Sequence, residues 1–261
     1  MCKVTSENLL FSKFKPQEFE QICQLLCSTF ETSKEELEKL YQDIDATFDQ
    51  PGWPLHFVQR DFFQSADTEF RHIYQKSPVI AVDLPSLMEL NDGQGEQKPT
   101  ITIIGQDSKC DSDYEQLVIG TPYGLHHKGS REILRRTKLY FDMIQGLLKL
   151  GYRVYLTDLL KIWVCNPERR YIGMKLPDID RQRFIRLIKA ELNVVKPVAI
   201  ITWGRVANNA LNQLDLGVKH LNFIHPSGAA SGAWKKLIGQ SPTDSNKLAY
   251  WESVITQELR N

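Results

Sequence analysis

TITIIGQD, residues 100–107, is a short apolar run that stops at Gly105-Gln106-Asp107. Such a run, bounded by a glycine and a carboxylate, reads as a buried strand with a polar group at its carboxyl end. Working outward, 152–158, 197–203 and 218–224 read as further strands. Helices are expected at 130–150, with Ser130 as cap and Gly151 as stop, and at 178–194, 204–214 and 243–259. A further helical turn is expected near 231–238. Short apolar strands separated by helices predict a parallel sheet covered on both faces. The expected fold is α/β, a three-layer α/β/α sandwich around a short four-stranded parallel sheet. The last strand ends in His225-Pro226-Ser227, followed by a small-residue loop from Gly228 to Gly232. An imidazole and a carboxylate, each at a strand end, can then face one another across the carboxyl edge, where open α/β sheets place their ligands.

The segment before residue 99 has a different character. Phe19, Ile22, Cys23, Leu26, Cys27 and Phe30 recur at helical spacing, and Ser33 with Glu36 forms a capping-box pattern for a second helix over 34–48. Gln50 to Pro54 breaks the chain. A helix near 58–75, an apolar stretch at Val79–Val82 and a polar loop from Asn91 to Pro99 complete the reading. Residues 1–98 are thus expected to be a mainly helical N-terminal extension, and 99–261 the domain that carries the chemistry.

Charge divides the same way. Residues 1–99 hold 9 Lys+Arg against 17 Asp+Glu, whereas residues 100–261 hold 23 against 15. A basic half that also carries the motifs suits a polyanionic partner; alternatively, two oppositely charged halves pack on each other. No apolar run has the length of a membrane span, and no signal-peptide pattern opens the chain. The five cysteines include no CxxC pair, so neither a disulfide framework nor a zinc or iron–sulfur site is expected. The expectation is a cytoplasmic protein without metal or cofactor.

Four segments in order, IIGQD (103–107), YLTDLLK (155–161), ITWGRVANNAL (201–211) and FIHPS (223–227), resemble the uracil-DNA glycosylase superfamily over roughly residues 99–240. The resemblance implies a DNA partner, base flipping and metal-free hydrolysis of an N-glycosidic bond. The residues support that chemistry by themselves. Breaking a base–deoxyribose bond leaves a positive sugar and a negative base; Asp107 can stabilise the first and orient water, and His225 can donate to the second. By the same resemblance, Gln106 joins the base-recognition set and Ser227 holds a phosphate. Lys161, Arg169, Arg170, Lys235 and Lys236 lie near motif ends as candidate phosphate contacts.

The departures from the pattern bear on the base. Asp158 stands where the superfamily has an Asn. An ionised carboxylate only accepts hydrogen bonds, so it repels uracil O4 but accepts from the cytosine N4 amino group. Ser108-Lys109-Cys110 replaces a Pro-Tyr-His continuation whose ring crowds the base C5 position, so Lys109 either meets a C5 substituent or is solvated. In PYGLHHKG (122–129), His127 takes the base-stacking position, with Tyr123 as the alternative. Gly228-Ala229-Ala230 stands where a wedge leucine is usual, leaving Trp234 as a substitute wedge or as core. A glycosylase acting freely on ordinary cytosine would destroy its own genome. The expected substrate is therefore a modified cytosine, such as the hydroxymethylated or glucosylated cytosine of phage DNA, in an antiviral role. Uracil repair, a catalytically silent DNA-binding module and a small-nucleotide enzyme are the alternatives.

Overall fold

The computed structural model describes residue 4 and residues 8–77, 80–91, 98–109 and 116–259. The N-terminal third runs β1 (Leu9–Phe11), α1 (Pro16–Cys27), α2 (Lys34–Thr47), β2 (Phe57–Val58), α3 (Thr68–Lys76), β3 (Ile80–Asp83) and β4 (Ser86–Leu90). Next come β5 (Thr100–Asp107), β6 (Leu117–Gly120), α4 (Lys128–Glu132), α5 (Arg135–Lys149), β7 (Arg153–Leu160), β8 (Ile162–Asn166) and β9 (Arg169–Gly173). The chain closes with α6 (Asp178–Val195), β10 (Ala199–Trp203), α7 (Arg205–Leu211), β11 (Lys219–Phe223), α8 (Ser231–Ile238) and α9 (Asp244–Leu259).

The α/β class is as expected, but the sheet is not the expected short four-stranded one. Its order is β1-β4-β7-β5-β10-β11, six strands of mixed direction. The four strands read from the sequence lie side by side and parallel, while β4 and β1 extend the sheet in the antiparallel sense. A second sheet, β2-β6-β3-β8-β9, was not anticipated. Both corrections have one cause. Strands of two or three residues such as β1 and β2 carry too little periodicity to read, and partners such as Leu9 and Leu90 meet only through long-range pairing. The N-terminal region is therefore no helical appendage, since it contributes strands to both sheets.

Helix boundaries follow local chemistry. Ser33 and Glu36 form the expected box, with Ser33 N–H donating to Glu36 at 2.8 Å and Glu36 N–H to Ser33 at 3.2 Å. The helix expected over 58–75 begins only at Thr68, because Asp67 caps it by accepting from Phe70 N–H at 2.8 Å. The helix expected over 130–150 is two helices. Ser130 lies inside α4 rather than capping, and its carbonyl accepts from the Thr137 hydroxyl at 2.7 Å across the break. Most of the loop expected over 91–99 lies outside the described residues.

Helices cover both faces of the six-stranded sheet. On one, Trp251 of α9 packs against Trp203 (5.6 Å between ring centroids) and Phe223 (4.5 Å). On the other, Ile104 and Ile200 meet Ile188 and Leu192 of α6 and Ala207 and Leu211 of α7. Among the described residues no helix is long and apolar enough to cross a membrane.

The two sheets are joined at Lys161, the residue between β7 and β8. Its ammonium is fully buried and pairs with Asp83 of β3 and Glu191 of α6, each at 2.9 Å. Thr157 Oγ1 lies within the same cluster, donating to Glu191 at 2.9 Å and accepting from Lys161. Burial alone would lower the Lys161 pKa, but the two carboxylates outweigh it and raise it. Removing one member of a buried ion cluster leaves an uncompensated charge. Lys161→Met is expected to lower unfolding free energy by about 3–5 kcal/mol, measured by urea denaturation; a loss below about 1 kcal/mol would contradict this account.

Candidate functional site

β5 and β7 run parallel with Gly105 opposite Asp158, and Asp107 opposite Leu160. Both carboxylates therefore reach the carboxyl edge of the sheet from neighbouring strands. Asp107 is partly buried and accepts from Gln106 Nε2 at 2.8 Å. Burial raises its pKa, against the opposing influence of Gln106 and of Lys109. Gln106 and Lys109 are exposed beside it.

Asp158 is 1% exposed. Its Oδ2 accepts from Ser108 Oγ at 2.8 Å and its backbone N–H donates to Asp83 at 3.0 Å. Its Oδ1 finds no hydrogen-bond partner among the described residues. Burial first, and then the neighbouring charge of Asp83, push the Asp158 carboxyl well above the usual carboxylate range. The Tyr123 hydroxyl is likewise buried without a partner. Both unpaired atoms flank one point above Gly105, where a β-carbon would stand 2.3 Å from Asp158 Oδ1 and 2.5 Å from Tyr123 Oη. A glycine is required there because only a bare backbone leaves room for both.

Tyr123 is held by aromatic packing and by a strained turn. Its ring stacks on Tyr140 at 4.3 Å, meets Trp203 edge-on at 5.0 Å and lies 6.1 Å from the His225 ring. Its φ of +63° is a left-handed conformation that a residue with a β-carbon rarely adopts.

His225 follows β11 in a loop pinned on both sides. Its carbonyl accepts from Trp234 Nε1 at 2.9 Å, and the Pro226 carbonyl accepts from the buried Lys247 ammonium at 2.8 Å. Gly204, at φ +99°, lets its backbone approach His225, where a β-carbon would lie 3.4 Å from the His225 Cβ. His225 Nδ1 lies 3.3 Å from the donating Ser227 N–H and 2.9 Å from Ser227 Oγ. Burial first and Lys247 second lower its pKa, favouring the neutral ring. A neutral imidazole that accepts at Nδ1 carries its proton on Nε2, so it is a donor at that atom.

The structure thus brings Asp107, Asp158, Tyr123 and His225 to one sheet edge and corrects several other expectations. His127 is not placed to stack on a ligand: it is buried, its Nε2 is 2.8 Å from the Pro54 carbonyl, and its ring lies against His126. Tyr123, the alternative, has its ring 6.1 Å from the His225 ring at the sheet edge. Lys161 cannot contact phosphate, because it is sealed in the ion cluster between the sheets. Trp234 is fully buried, in keeping with its reading as core. Ser227 is engaged with His225. Arg169 and Lys235 are exposed on β9 and α8, as is Lys236, while the side chain of Arg170 lies outside the described residues. Tyr140, Trp203, Ser108 and Asp83 were not expected at the site; the first two read as helix and strand core, and nothing local marks the others. Among the described residues no group of His, Cys, Asp and Glu is arranged to hold a metal. An open cleft of about 690 Å³ at the opposite, amino edge is lined by Lys15, Glu18, Arg153 and Lys196 among others and contains none of these groups.

No protein-family model and no curated protein matches the chain.

Two outcomes follow from this geometry. Gly105→Ala drives a methyl group into two buried polar atoms, and is expected to cost about 1–3 kcal/mol in urea unfolding and to displace Tyr123; unchanged stability would show that the space above Gly105 is open. Burial depresses the His127 pKa from 6.5 to about 4. The stability it lends is therefore full above pH 6.5 and lost as pH falls through about 4. Between pH 8 and pH 5 the protein is expected to lose roughly 2 kcal/mol that His127→Gln does not lose, read by urea denaturation at the two pH values.

Proposed function

We propose that this protein is a monofunctional DNA glycosylase that hydrolyses the N-glycosidic bond of a flipped-out base, and that the base is a modified cytosine. The observation that carries the reading is the pair of unpaired buried atoms, Asp158 Oδ1 and Tyr123 Oη, beside Asp107 and His225 at the carboxyl edge. Buried polar groups are ordinarily satisfied. Two that are not, both lying against Gly105 at the carboxyl edge, suit a ligand edge that supplies the missing partners.

In this reading the bond between C1′ and the base nitrogen breaks, and its electron pair leaves with the base. Asp107 stabilises the positive sugar and accepts the proton of the water whose oxygen bonds to C1′. His225, neutral and donating from Nε2, stabilises the negative base, which takes up a proton as it departs. A neutral donor suits this role, since it needs no proton of its own to be lost. The base lies against Tyr123 with its edge toward Asp158. Extruding the base requires the duplex to open or the substrate to be single-stranded already. The exposed Arg169, Lys235 and Lys236 supply charge for phosphate contacts.

Asp158 limits the choice of base. A cytosine edge suits it in either protonation state: ionised, it accepts from the N4 amino group, and neutral, it also donates to N3. A uracil edge suits only the neutral acid, because an ionised carboxylate faces O4 with repulsion. As a neutral acid Asp158 accommodates either edge. Ordinary cytosine is set aside by the harm its removal would do to the host genome. The proposed base is therefore a cytosine altered at C5, such as hydroxymethylated or glucosylated cytosine of phage DNA, with uracil as the alternative.

The test is abasic-site formation on matched oligonucleotides carrying uracil, cytosine, hydroxymethylcytosine or glucosylated hydroxymethylcytosine. Cleavage after alkali is expected at a modified cytosine, with Asp107→Asn slower by about 10²–10⁴-fold and DNA binding retained. Cleavage at uracil alone would make the protein a repair glycosylase. Tight DNA binding with no abasic sites would make it a silent binding module, and saturation by free nucleotides without oligonucleotide binding would point to a small-nucleotide enzyme.

A further inference from the structure

The buried ion cluster at Lys161 adjoins the candidate base reader. Asp83 Oδ2 accepts both from Lys161 Nζ at 2.9 Å and from the Asp158 backbone N–H at 3.0 Å. Three buried carboxyl groups, Asp83, Asp158 and Glu191, thus lie around one buried ammonium, that of Lys161, among the described residues. Lys161 donates to Asp83 and to Glu191 and makes no hydrogen bond to Asp158. The remaining groups that face Asp158 do not compensate it. Asp107, on the adjacent strand, is itself a carboxyl. Ser108 Oγ supplies one neutral hydrogen bond, and Tyr123 approaches with a neutral phenol. An ionised carboxylate without a cation or several donors is among the most costly groups to bury, and it takes up a proton instead.

We propose that the Asp83–Lys161–Glu191 cluster holds Asp158 as a neutral carboxylic acid, with its proton on Oδ1, and so sets the hydrogen-bond pattern that a bound base must match. Oδ2 already accepts from Ser108, which leaves the proton to Oδ1, the atom that has no acceptor. Asp83 and Glu191 are positioning residues in this account, since they touch Asp158 or its neighbours and not the base. The functional part of the inference rests on Asp158 reading the base edge; the protonation state itself does not. The neutral acid offers one donor and one acceptor, so it pairs with cytosine or with uracil. Ionised, it keeps only acceptors and retains the cytosine N4 contact alone. Selection against uracil therefore sharpens as Asp158 loses its proton.

Infrared titration of the full-length protein tests this directly. The carbonyl-stretch band of a protonated carboxylic acid, assigned to Asp158 by its loss in Asp158→Asn, is expected to persist at neutral pH. Asp83→Asn removes the nearest negative charge and is expected to move the disappearance of that band to lower pH by about 1–2 units. Glu191→Gln, one residue further from Asp158, is expected to move it the same way by less, and it serves if Asp83→Asn does not fold. A purely structural role would leave the midpoint unmoved. The proposal is overturned if the wild-type band is absent at neutral pH, or if neither folded variant shifts it. The readout needs no turnover. A band that behaves as expected without abasic-site formation leaves this inference standing and removes the glycosylase reading, whereas excision by a protein with no such band does the reverse.

Discussion

The ion cluster around Lys161 is the constraint on which the rest of the structure depends. Lys161 sits where the chain leaves one sheet for the other, and its ammonium binds β3 of the second sheet and α6 on the first. The backbone repeats the join, with Asp83 N–H donating to the Lys161 carbonyl at 2.8 Å. Burying three charged groups is costly unless each is paired and hydrogen-bonded. The requirement therefore defines one register of β8 against β3 and one placement of α6. That register also determines where Asp158 falls, three residues before Lys161.

The site is assembled from close approaches that ordinary residues would prevent. Gly105 clears the point above which Tyr123 and Asp158 meet, and Gly204 takes a φ of +99° that residues with a β-carbon rarely adopt where β10 ends beside His225. Tyr123 accepts a left-handed backbone, and its ring gains contacts with Tyr140 and Trp203 that hold it there. Backbone strain of this kind persists only where the surroundings over-determine it. Trp234 and Lys247 serve the opposite strand end, holding two successive carbonyls of the loop so that the His225 ring is presented from a rigid support. Local stability and site geometry here rest on the same side chains.

Much of this was legible in the chain. Apolar runs of five to eight residues separated by amphipathic helices located the four parallel strands within a few residues, and both polar strand ends were visible as Asp107 and His225. The capping box at Ser33 and the helix over 231–238 were readable because their causes are local. The short strands β1, β2, β4 and β6 were not, since their pairing partners are distant in sequence. The residues misread share a physical feature. Lys161 and His127 have polar atoms that look available for a ligand, yet each is sealed inside by partners contributed from elsewhere in the chain.

By itself the sequence determined the class of fold and the identity of the groups at two strand ends, because hydrophobic periodicity and its interruptions are properties of neighbouring residues. It also determined that a carboxylate, not an amide, stands at position 158. Only the tertiary structure decided what that carboxylate is. Whether Asp158 is an acceptor or a donor depends on its burial and on the charges around it, and these come from Asp83, Asp107 and Lys161, brought together by folding. Protonation is set by environment in three dimensions, and no spacing along the chain records it.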